Sequence, residues 1–182
     1  MWKLLLCLQN LNEVANMVVG TIAVYLLGIL MVIFQYTLIP YWFSASGLFL
    51  PQLAEAFAIA ALLCDKEVRR SGILAMLLAL LSILGFAAEP ISTIVVYTIF
   101  VAVCLLFVKQ KERPFARTLI LIAVLCLVSS LGRAVWLMQK EQLLSFQLSQ
   151  IGIAAASAIS TAVFAVLFYY PVAWLCSRGK KV

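Results

Sequence analysis

The chain contains no histidine, and only 11% of its 182 residues are charged. The first absence removes the commonest general base and metal ligand. The second leaves too little polar surface to coat a water-facing globule, because soluble chains carry about 25% charged residues. Acids are the scarcer sign, with seven Asp and Glu against 13 Lys and Arg, for a net charge of +6. There is no Gly-rich phosphate loop. The five cysteines, Cys7, Cys64, Cys104, Cys126 and Cys176, form no C-x-x-C pair. Their spacing suits neither a zinc site nor a disulfide framework, so they are expected as small apolar fillers. No serine or threonine has an activating base nearby, and Asp65 and Glu67 look like a solvated turn. No catalytic set and no cofactor is therefore expected.

What the chain does have is apolar bulk: 66% hydrophobic residues and a mean hydropathy of +1.15. Disordered segments are poor in such residues. The composition points to an all-α integral membrane protein made of one transmembrane domain. In lipid every backbone N–H and C=O must be paired internally, so long apolar runs form helices. A β-barrel would show alternating segments of about ten residues instead. Six spans are expected, at about 14–39, 48–64, 72–88, 91–108, 118–138 and 150–176. Pro40 is expected to end the first, Glu89-Pro90 to make a tight hairpin of the third and fourth, and Pro171 to kink the sixth. The first 13 residues make either a short interfacial helix or a frayed tail.

Eleven of the 13 basic residues fall on one side of such a bundle: Lys3, Lys66, Arg69, Arg70, Lys109, Lys111, Arg113, Arg117, Arg178, Lys180 and Lys181. Only Arg133 and Lys140 fall elsewhere. Short loops with this bias face the cytoplasm, which places both termini there. Topology thus accounts for the basic charge, and no nucleic-acid partner is expected. Anionic lipid head groups or a cytoplasmic partner fit the loops better.

Glu55 and Arg133 are the costly residues, because ionisable groups inside a span usually pair or face a cavity. Counting along helices two and five puts them at matching depth, about 8 Å for Arg133 at 1.5 Å per residue. An ion pair is expected, with Glu89 at the outer rim as a second candidate partner. Such a pair is either a polar cavity opening outward or a structural clamp between helices two and five, and the clamp is preferred. Small residues mark close helix contacts. Gly152, Ala156 and Ser160 form one strip on helix six, beside Ala154, Ala158 and Ala162. It suits a partner subunit as well as internal packing. Ala54 and Ala58, like Ala75 and Ala79, suit internal packing. The uncharged stretch 36–50, with its aromatics around Pro40, is expected to lie flat on the outer face of the bilayer, cover a cavity or dock a partner.

The order of these features resembles the rod shape-determining protein MreD family. Phe34-Gln35-Tyr36-Thr37-Leu38-Ile39-Pro40 is similar to the family's Leu-Gln-x-x-Leu-x-Pro at the close of span one. Gly47-Leu48-Phe49-Leu50-Pro51-Gln52-Leu53 resembles its Gly-x-x-Pro-Asp-Leu opening of span two, with Gln52 in place of Asp. The helix from Gly72 to Gly85, then Pro90 and Tyr97, echoes a Gly-rich helix, a turn and a Tyr-bearing helix; the family's Asp-Leu and Ser-Gly features are absent around Leu80–Glu89. Lys109–Arg117 sits where the family has a basic loop, and Phe168–Trp174 with Pro171 and Arg178 resembles its terminal helix and basic tail.

The resemblance implies a non-catalytic scaffold subunit of the bacterial cell-elongation machinery. That machinery builds peptidoglycan and sets rod shape. It further implies an inner-membrane location and partnership with an MreC-like protein and the cell-wall synthesis complex. Lys109, Lys111, Arg113 and Arg117, with the Gly152–Ala156–Ser160 strip, are the expected partner interface. The implied fold is that of substrate-binding subunits of energy-coupling-factor vitamin transporters. Such a subunit is itself the alternative function, with Glu55, Glu89, Tyr97 and Arg133 lining its site. A small enzyme of lipid or cell-wall metabolism using Asp65, Glu67 or Glu89 comes last.

Overall fold

The computed structural model describes residues 2–43, 52–64, 68–86, 90–108, 115–140 and 148–177. Among them the chain is all helical. The six helices are α1 (Trp2–Phe43), α2 (Leu53–Cys64), α3 (Val68–Phe86), α4 (Pro90–Val108), α5 (Phe115–Lys140) and α6 (Leu148–Ser177). Two stretches are long and apolar enough to cross a membrane, Val14–Thr37 in α1 and Gly152–Cys176 in α6. At 1.5 Å per residue they span about 36 Å and about 37 Å, against a hydrocarbon core of about 30 Å.

The arrangement is a ring with an axle. α1 packs on α3, α3 on α4, α4 on α5, α5 on α6, and α6 closes back on α1. α2 touches all five. Every residue from Leu53 to Leu63 is accordingly buried. A helix that is apolar all round has no preferred outer face, and such helices belong in the core. Ala54, Ala56, Ala58, Ala60 and Ala61 keep α2 thin enough for five neighbours to approach. Phe57, Ile59 and Leu62 fill the layers between it and Leu74, Leu78, Tyr97, Phe100, Ile122 and Leu125 of the ring.

Each ring helix buries only a stripe. On α1 it is Gly20, Val24, Gly28, Val32 and Gln35, spaced mostly four apart. A Cβ at Gly20 would lie 2.8 Å from the Leu175 carbonyl oxygen, so glycine is what lets α1 and α6 touch. Gly28 faces Phe57 and Leu78. On α6 the buried stripe is Ala154, Ala158, Thr161, Ala165 and Val172. The outer faces are mostly Val, Ile and Leu, with Val19, Leu84 and Leu106 each more than 60% exposed.

Cross-helix contacts fix the directions. Going up α1, Tyr25 donates its hydroxyl to the Arg70 carbonyl at 3.2 Å, Gly28 meets Leu78, and Gln35 reaches Gln52. α3 therefore runs alongside α1, and α2 runs against it. Thr161 lies by Gln52 and Tyr169 by Cys64, so α6 runs with α2. Gly72 meets Val101, so α3 and α4 form an antiparallel hairpin. Pro90 opens α4 at its first position, where its missing N–H costs nothing.

Three boundaries differ from the sequence expectation. α1 continues through Pro40 to Phe43 rather than stopping at residue 39. One proline removes one backbone hydrogen bond, and the long apolar run on its N-terminal side carries the helix past it. The N-terminal segment is likewise the start of α1 and not a separate helix. α2 starts at Leu53, five residues after the expected 48, and is 12 residues long, about 18 Å. Half of the stretch 36–50 is thus helix, and 44–50 lies outside the described residues.

Candidate functional site

The buried polar groups meet at the N-terminal end of α2. A helix start leaves backbone N–H groups without intrahelical acceptors, and inside a ring of helices side chains of neighbouring helices supply them. Gln52 occupies the N-cap position, since its carbonyl accepts the first helical bond, from the Ala56 N–H at 2.9 Å. Its own N–H donates to Thr161 Oγ1 of α6 at 3.1 Å. Gln is a poor cap for its own helix, and α1 supplies the cap instead. Gln35 Oε1 accepts the Ala54 N–H at 2.8 Å, while Gln35 Nε2 donates to Gln52 Oε1 at 2.8 Å. One amide thereby closes two sides of a small network across α1, α2 and α6.

Glu55 lies in the first turn of α2, where the helix dipole favours a negative charge. It is 2% exposed. Ser129 of α5 donates its hydroxyl to Glu55 Oε2 at 2.5 Å, a short hydrogen bond. Ser130 beside it is buried as well. Ser82 and Thr93, also buried, occupy the same half of the bundle on α3 and α4. Ser82 satisfies its hydroxyl on its own helix, at the Leu78 carbonyl. Among the described residues, only Ser71 and Thr118 of the buried polar ones lie toward the opposite end.

Glu55 is buried against α5, in the first turn of α2 rather than about two turns into a helix that starts at 48. Arg133 is described in its backbone only. It stands four residues beyond Ser129 on α5, so the two positions share a helix face. Glu89, Lys109, Lys111 and Arg113 lie outside the described residues. Arg117 is exposed in the first turn of α5. On α6, Gly152 is exposed with open space around it, and Ala156 and Ser160 are half-buried. The neighbouring stripe through Ala154 and Ala158 is the one packed inside. Ala54, Ala58, Ala75 and Ala79 are all buried. Tyr97 is buried against Phe100 with ring centroids 5.9 Å apart.

Gln35, Ser129 and Thr161 were not singled out as site residues by the sequence. The usable signal was an amide inside an otherwise apolar helix, which demands a partner. Among the described residues no group of His, Cys, Asp and Glu is placed to hold a metal ion. No family model, curated protein or solved structure matches the chain.

Proposed function

We propose that the protein is a multi-pass membrane subunit with six spans, both termini on the basic cytoplasmic side, and that it works as a non-catalytic scaffold. The observation that carries this is its inside-out polarity: amides, hydroxyls and a carboxylate are tied together in the interior, while aliphatic side chains cover the ring. A patch of that kind on a soluble monomer is an aggregation hazard, whereas in lipid it is the solvated face. The alternation of helix directions supports repeated crossing. The axle anchored to α1, α5 and α6 supports a rigid body that holds partners rather than one that turns over a substrate. By its resemblance to the MreD family, the partners are an MreC-like protein and the cell-elongation complex in the bacterial inner membrane.

A second reading has one observation in its favour. Buried polar side chains gather at the α2 N-terminal end, which this topology turns outward, as a substrate-binding subunit of an energy-coupling-factor transporter would require. Affinity capture from native membranes separates the two. Recovery of an MreC-like protein supports the scaffold. Recovery of an ATPase with its transmembrane coupling subunit, or a small molecule retained through purification, supports the carrier and sinks the scaffold.

A further inference from the structure

We infer that the end of the ring where α3 and α5 begin binds the head groups of anionic phospholipids, beyond merely facing the cytoplasm. The inference rests on the multi-pass membrane reading. Five helices meet at this end. The Tyr25–Arg70 contact sets the start of α3 beside the middle of α1, and Gly20 sets the end of α6 near it. Gly72 meets Val101, which brings in the last turns of α4. The link 109–114 reaches at most about 25 Å, short of the roughly 28 Å length of α4, so α5 starts at the same end.

Two fully displayed arginines sit here, Arg69 on α3 and Arg117 on α5, both exposed. Two exposed aromatics lie in the last two turns of α6, at the same end, Tyr170 at 61% and Trp174 at 54%. Amphipathic rings prefer the head-group layer, so they fix the depth at which the guanidinium groups lie. Neither α3 nor α5 has an acidic residue in its first turn, and both carry arginine where the dipole is already positive. A phosphodiester at that depth is attracted to these positive helix starts and accepts paired N–H donors from guanidinium. A basic partner is excluded by charge. A zwitterionic head group brings its own ammonium and cancels most of the gain. The occupant that fits is therefore a lipid with a net negative head group.

The test uses the full chain with Trp2, Trp42 and Trp136 changed to Phe, reconstituted in phosphatidylcholine vesicles, with Trp174 as reporter. Dibrominated phosphatidylglycerol and dibrominated phosphatidylcholine are compared as quenchers at equal mole fraction. Preferential quenching by the anionic lipid is expected, weakened by salt. R69Q/R117Q should lower that preference by on the order of fivefold per arginine, while R69K/R117K keeps most of it. Equal quenching by both lipids in the parent overturns the proposal and leaves the membrane reading intact. So does a preference that the Gln pair leaves unchanged. Quenching by neither lipid overturns the membrane reading itself.

Discussion

Gln35 is 8% exposed and spends both ends of its amide on the start of α2. Replacing it with Leu keeps the volume but leaves the buried Ala54 N–H and Gln52 Oε1 without those bonds. A loss of about 1–3 kcal/mol per orphaned group follows, read as an earlier midpoint in thermal unfolding in detergent. An unchanged midpoint would show that the network contributes nothing. Glu55 and Arg133 call for a different measurement. If the two pair as their depths suggest, Glu55→Gln and Arg133→Gln should couple in a double-mutant cycle by 0.5 kcal/mol or more, about the lower limit for residues in one network. Additive effects would assign Glu55 to Ser129 alone. The sequence made Glu55 legible because a charge in an apolar run stands out. It left Ser129 and Thr161 unnoticed, because hydroxyls commonly bond to their own helix and carry no visible cost.

At the scale of elements, the glycines separate close approach from mere smallness. Gly20→Ala sets a Cβ against a backbone carbonyl that cannot rotate away, so α1 must move off α6, at about 1–3 kcal/mol. Gly28→Ala meets the ends of Phe57 and Leu78 at 3.1 and 3.2 Å, side chains that can give, and should cost less. Gly152→Ala meets nothing and gains up to about 1 kcal/mol of helix propensity. Comparing the three midpoints of unfolding tests the packing; a ranking with Gly28→Ala worse than Gly20→Ala would refute it. A loss of partner capture by Gly152→Ala at undiminished stability would mark the α6 strip as an external interface. The existence of six helices was readable from long apolar runs broken by Pro and charge. The place of α2 was not. Periodicity reports which face of a helix is wet, and a helix with no wet face gives no direction at all. Its shortness was masked too, since the uncharged stretch 44–50 looks like more of the same helix.

For the molecule as a whole, orientation is the quantity to measure. A fluorescent protein that matures only in the cytoplasm, fused after Val182, should glow, and an alkaline phosphatase in the same place should stay inactive. The reverse pattern would overturn the placement of both termini and, with it, the lipid surface inferred for the basic end. The axle also has a consequence for biogenesis. α2 is the second segment to leave the ribosome, yet two of its anchors, Ser129 and Thr161, are made near the end of synthesis. At about 5–20 residues per second, it waits roughly ten seconds for them. Throughout that interval a short helix carrying a carboxylate, capped by Gln35 of α1 but not yet held by α5 and α6, must be sheltered by something other than its own fold. On the proposed multi-pass reading the insertion machinery is the natural shelter, and the segment destined for the centre of the protein is then among the last to leave it.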